Sequence, residues 1–165
     1  MRSLRRSRQA LTQAECRAVL ERGTSGVLAV LGDGGYPYAV PLNYALDGER
    51  ILFHSAPVGH KLDALRRHPA ASFCVVDIAE PRPETLSTCY RSVIVFGRVR
   101  IIEEEDGFRE ALRLFTRRFV TDPELALRVA AEESRERLLM LAFEIEQMSG
   151  KQARELSDEQ GGAER

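Results

Sequence analysis

The chain has no long apolar run, few cysteines and only two lysines, Lys61 and Lys151, among its 24 basic residues. No stretch of about 18 apolar residues is present to span a bilayer, which excludes a helical membrane protein. No apolar segment follows the basic start 1-MRSLRRSRQA-10, so no signal peptide is expected and a cytoplasmic location follows by default. That start resembles a nucleic-acid arm or a membrane-surface tag in charge alone, and a solvated terminus is the preferred reading. With a formal net charge of −1 and a pI near 6.3, the whole chain is not a polyanion binder, and neither nucleic acid nor membrane is expected as a partner. Cys16, Cys74 and Cys89 form an odd set without CxxC spacing, which argues against a disulfide framework and against zinc. Cys74, inside 72-SFCVVD-77, reads as a small hydrophobe of a buried strand. His54, His60 and His68 have no carboxylate at ligand spacing, so no metal site is expected. Neither G-x-G-x-x-G nor G-x-x-x-x-G-K-[ST] occurs, and no βαβ alternation is visible, which disfavours a dinucleotide fold. Internal repeats and low-complexity segments are missing as well.

What remains is an ordinary globular composition, 44% hydrophobic and 30% charged over 165 residues, enough for one domain with a sizeable core. The boundaries expected are a flexible basic arm at 1–11, a folded domain at 12–154 and a frayed polar tail at 155–165. Thr12 and Glu15 stand in capping-box spacing before an amphipathic helix that closes at Gly23. Then the period changes. The apolar run 26-GVLAVL-31, the turn 32-GDGGYP-37, the run 38-YAVPLNYAL-46, the hairpin signal 47-DGE-49 and 50-RILFHSA-56 read as three antiparallel strands. A helix from about 60 to 68 ends at Pro69, and 70-AASFCVVD-77 is a fourth strand. Two prolines in 78-IAEPRPETLSTCY-90 suggest a long loop near a functional edge or a partner. The strand 91-RSVIVFGRVRII-102 contains Gly97, suited to a bulge. Phe108, Ala111, Leu112, Phe115 and Phe119 recur at helical spacing. A further helix from about 123 to 135 would turn Leu125, Val129 and Ala130 inward, and 137-RLLMLAFEIEQMSG-150 closes the domain as a strand. The class is mainly β (α+β): a six-stranded antiparallel barrel with flanking helices.

The most informative stretch is 51-ILFHSAPVGHKLDALRRHP-69. A strand ends at His54-Ser55, and six residues after the serine a rare lysine opens a helix. The free N–H groups of a helix N-terminus favour an anion, most often phosphate. A lysine in the first turn opposes the helix dipole unless something negative joins it, or unless it simply extends into water. Pro41, in the run before, marks a strand edge or bulge. On a two-residue period His54 faces opposite to Phe53 and Ser55, as a ligand contact or as a hydrogen-bonded core or interface histidine.

The order 53-FHSAPVGHKLDALRRHPAASFCVV-76 resembles the phosphate-binding stretch of the pyridoxamine-5′-phosphate-oxidase-like, FMN-binding split-barrel superfamily. In that family a threonine ends the strand and a lysine six residues later binds the FMN phosphate; Ser55 and Lys61 stand at those positions. The phrases 36-YPYAVPLNY-44, 53-FHSA-56, 59-GHKLDAL-65, 89-CYRSVIVFGRVR-100 and 144-EIEQMSGKQA-153 are similar to those of its nitroimidazole-resistance (Nim) group. The resemblance implies a split barrel that binds FMN. Lys61 would pair with the phosphate beside Gly59 and His60. Val40, Pro41, Leu42, Asn43 and Ser55 would meet the ring edge, with His54 also in contact, and Arg91 and Ser92 would approach from a partner subunit. It implies a homodimer with the cofactor at the interface and reduction of small nitroaromatic or related acceptors, with His60 or His54 as proton donor. His60 replaces the arginine of the family's oxidase branch, whose substrate arginines are also missing, so oxidation of pyridoxamine phosphate is not expected. Two alternatives stay open: the same fold with haem or a deazaflavin, and a non-catalytic flavin- or haem-binding module.

Overall fold

The computed structural model describes residues 9–156; residues 1–8 of the basic arm and 157–165 of the tail lie outside the described residues. The first element is α1 (Gln13–Arg22), begun by the capping box: the Thr12 N–H donates to Glu15 Oε2 at 2.7 Å and the Glu15 N–H donates to Thr12 Oγ1 at 3.2 Å. Just before it, Leu11 is buried and Ala10 bridges to Lys151. Then follow β1 (Ser25–Leu31), β2 (Pro37–Asn43), β3 (Ala45–Asp47) and β4 (Arg50–Ser55). Helix α2 (His60–Arg67) leads to a long hairpin of β5 (Ala70–Arg82) and β6 (Ser87–Ile101). Helices α3 (Glu105–Phe119) and α4 (Pro123–Glu132) precede β7 (Leu139–Gln152).

Seven strands, not six, form one antiparallel sheet in the order β2-β1-β5-β6-β7-β4-β3. The seventh arises because the expected run 38–46 breaks at Tyr44 into β2 and β3, which lie on opposite edges of that order. One residue joins the two edges, so the sheet has to curl into a barrel. Tyr44 is fully buried there and donates its hydroxyl to the Leu20 carbonyl at 2.7 Å. Burial pushes its phenol up to about 12. Pro37 and Pro41 are tolerated because β2 is an outermost strand.

Alternation along the strands sorts two cores. Ile51, Phe53, Leu141 and Phe143 join Leu28, Phe73 and Val95 inside the barrel. Leu52, Met140 and Ala142 face the other way, under Phe108, Leu112 and Phe115 of α3. The β6–β7 register slips between Phe96 and Gly97, the bend expected at that glycine. Three expectations need correction. Residues 78–90 are not a loop: Ile78↔Arg91 through Arg82↔Ser87 pair as a two-stranded arm. The prolines are tolerated because β5 meets β1 only at Ser72–Cys74 and its outer edge is otherwise free. Cys74 is only half-buried, since the inner face of β5 belongs to Phe73 and Val75. In α4 the inward residues are Ala126 and Ala130, while Val129 stays 36% exposed, because small side chains let α4 approach α3. No described helix is long and apolar enough to cross a membrane.

Candidate functional site

Strand β4 supplies the first part of the site by its period. Ser55 keeps the inward parity of Phe53, is buried, and donates its hydroxyl to the Ala56 carbonyl at 3.0 Å. His54 takes the opposite parity, following Leu52, and its ring meets Phe115 edge-on with centroids 4.9 Å apart. Phe115 in turn packs against Phe119 at 4.9 Å. The chain then turns through Pro57 to Gly59, whose φ of 130° strongly favours glycine.

That conformation delivers α2 with an uncapped N-terminus: no side chain bonds the first-turn amides. Leu62, Ala64 and Leu65 bury the helix against the barrel interior. Lys61 is half-buried, and among the described residues its ammonium has no hydrogen bond or ion pair. Burial holds its pKa below 10.5. His54 feels the same charge: its pKa is lowered from 6.5 first by burial and then by Lys61, with Glu133 opposing. The two groups therefore share one electrostatic environment, positive and short of counter-charge.

His60 is occupied differently. Its ring stacks on Tyr38 with centroids 4.3 Å apart. Its Nε2 accepts the Asp33 backbone N–H at 3.3 Å and lies 3.5 Å from Asp33 Oδ2. Arg67, one face-repeat along α2, binds the other Asp33 oxygen. On β2, Val40 and Leu42 lean toward the core, while Pro41 and Asn43 are exposed along the free edge.

The structure thus gathers His54, Ser55, Gly59, His60 and Lys61 at the β4–α2 junction, with β2 alongside and tied to α2 through Tyr38. It does not bring Ser92 there. Ser92 pairs with Val76 and Lys151, level with Ser25 at the opposite end of β1 from Asp33. That is about 20 Å along the strands at the usual rise. Asp33, Arg67, Phe115 and Phe119 were not expected around the site. The contacts that bring in Asp33, Arg67 and Phe115 join residues 27 to 61 positions apart, and the sequence signals were Asp33 within a glycine-rich turn and the helical spacing of Phe115 and Phe119. Among the described residues no group of His, Cys, Asp or Glu could hold a metal ion.

A second cluster lies elsewhere. Asp77, at the β5 bulge, takes two hydrogen bonds from Arg22, at 2.5 and 2.8 Å, and Arg91 Nη1 stands 3.5 Å away. Arg91 Nε donates to Gln152 Oε1 at 2.9 Å. The bonds from Arg22, reinforced by the charges of Arg22 and Arg91, lower the Asp77 pKa from 3.8.

The family model described as pyridoxamine 5′-phosphate oxidase matches residues 12–152. An uncharacterized protein of Rhizobium meliloti (strain 1021) is 32% identical over 97 residues, and the match spans 59% of this chain and 59% of that relative. Among solved structures, an FAD-binding protein from Mesorhizobium loti superposes with a TM-score of 0.64 at 26% identity, covering 88% of this chain and 97% of that one. A candidate 5-nitroimidazole antibiotic resistance protein from Bacteroides thetaiotaomicron gives 0.69 at 21% identity, covering 86% and 85%.

Proposed function

Because this chain belongs to the pyridoxamine 5′-phosphate oxidase family, we propose that it is a flavin-binding oxidoreductase of the nitroimidazole-resistance type, holding FMN at the β4–α2 junction. The observation that carries this reading is the unpaired, half-buried Lys61 beside an uncapped helix N-terminus. A phosphate suits both: it supplies the counter-charge that Lys61 lacks and accepts the free first-turn amides. The donor set therefore fits the group.

Bound there, FMN would carry electrons from a donor to a nitroaromatic or related small acceptor. Lys61 and the amides of His60 and Lys61 grip the phosphate. The backbone edge of Val40 to Asn43 and the Ser55 hydroxyl orient the ring, with Pro41 keeping that edge free of another strand. His54 is the proton donor. Burial and then Lys61 lower its pKa, so acid conditions favour donation. His60 is held differently, with Nε2 on Asp33 and one ring face against Tyr38.

A homodimer completes the site. Val27, Leu31, Val76 and Ile94 are 40 to 59% exposed on the outer face of β1, β5 and β6. Val27, Cys74 and Ile94 fall in one cross-strand row. A second copy on this face would bury that row and bring its own Ser92 to the flavin, which the same chain's Ser92 cannot reach. The protein is proposed to work in the cytoplasm.

The visible absorption spectrum of the purified protein tests the reading, with flavin bands near ~370 and ~450 nm expected and their loss expected in Lys61→Ala. A colourless protein that also refuses added FMN would overturn it. In sedimentation, Ile94→Glu should convert a dimer to monomer; a wild-type monomer would remove the shared site.

A further inference from the structure

The contacts of His60 run to the β1–β2 turn and to Tyr38 at the start of β2. Its Nε2 accepts a backbone N–H, so in the neutral ring the proton sits on Nδ1. The approach is close: a Cβ at Gly32 would lie 3.3 Å from Nε2, 2.9 Å from the Tyr36 carbonyl and 3.0 Å from Tyr38 Cβ. Asp33 therefore ties down both ends of α2, His60 in the first turn through its amide and Arg67 in the last turn through its carboxylate. No side-chain cap bonds the N-terminus of the eight-residue helix, which is otherwise held by its buried face of Leu62, Ala64 and Leu65.

We propose that His60 is a positioning residue, a latch that fastens the start of α2 to the β1–β2 turn and so keeps Lys61 and the free amides aimed at one anion. Residues 60 and 61 lie about 100° apart around a helix. With His60 held on Asp33, Lys61 is turned away from that turn, toward His54. The latch also couples β2 to α2, since Tyr38 at the start of β2 stacks on the same ring. The consequence for ligand affinity rests on the FMN reading above; the latch itself does not.

The test compares His60→Gln, His60→Arg and His60→Ala. A glutamine carbonyl can still accept the Asp33 N–H. Amide exchange in the unliganded proteins reads the latch directly: the Asp33 amide should exchange about ten-fold faster in His60→Ala and near the wild-type rate in His60→Gln. FMN titration reads the consequence. His60→Gln should bind within about three-fold of wild type, while His60→Ala and His60→Arg should bind about ten-fold more weakly. A direct phosphate contact predicts the reverse for arginine, so tighter FMN binding by His60→Arg would overturn the proposal. Unchanged Asp33 exchange in all three variants would overturn it too. Loss of the Asp33 exchange difference leaves the FMN reading standing, and failure of wild type to bind FMN removes that reading while exchange still decides the latch.

Discussion

Two polar regions of this barrel are built on opposite terms. Around Asp77 one partly buried carboxylate meets two guanidiniums, one of which also reaches Gln152, so α1, β5, β6 and β7 are held by groups that satisfy one another. At the β4–α2 junction a half-buried ammonium has no counter-charge among the described residues, beside a helix start with no side-chain cap. The first arrangement is complete in the folded chain and works as structure. The second is incomplete, at a cost in burial that shows in the lowered pKa of both Lys61 and His54. Polar groups left short inside a stable fold mark where something else belongs.

The comparison is sharpest when each region is broken in turn. Lys61→Ala should weaken FMN binding about a hundred-fold, the scale of a charge-assisted phosphate contact, and leave folding stability intact. Asp77→Ala should do the opposite. It should cost about 2 kcal/mol, less than a fully buried pair because Arg22 is half-exposed, with little change in FMN affinity. Chemical denaturation and FMN fluorescence titration measured on both variants check the crossing of the two effects.

The Asp77 network also has a pH signature. Its folded pKa is depressed below 3.8, so its stabilisation is present above that value and is lost as the pH falls through the folded pKa. Asp77→Asn should remove this part of the acid limb of stability and leave the curve above about pH 5 parallel to wild type. At the other region Lys61→Met should be neutral or stabilising by about 1 kcal/mol in the unliganded protein, since it deletes a desolvated charge that nothing offsets. Thermal unfolding without flavin measures it; a clear loss of stability would place Lys61 among the structural groups.

The smallest effect concerns His54. Its folded pKa lies below 6.5, so the unfolded chain binds more protons between the two values, and stability rises with pH across that window. His54→Phe should flatten that slope. Phosphate at Lys61 should raise the His54 pKa by cancelling the charge that depresses it, visible in an NMR titration with and without FMN.

Much of this was legible in the sequence, and the reasons are local. The capping box of α1, the turn signals at 32–37 and 47–49, the bend at Gly97 and the serine-to-lysine spacing all depend on neighbours in the chain. What could not be read depended on partners far along it. Tyr44 splits one expected strand into two because its buried ring and hydroxyl belong with Leu20 and Phe73. The prolines at 81 and 83 hid a hairpin arm, because nothing local says that an outer edge is free. His60 looked like a phosphate or substrate group from its place before Lys61. Only the folded turn shows that its Nε2 meets Asp33, 27 residues earlier.

The central claim is that Lys61 is left unpaired to receive a phosphate. The most direct measurement compares FMN with riboflavin, which lacks only the phosphate, in wild type and Lys61→Ala. Wild type should prefer FMN by about a hundred-fold, and the variant should lose most of that preference while holding riboflavin as before. An equal preference in both proteins would contradict the claim, because the phosphate would then be bound somewhere that Lys61 does not reach.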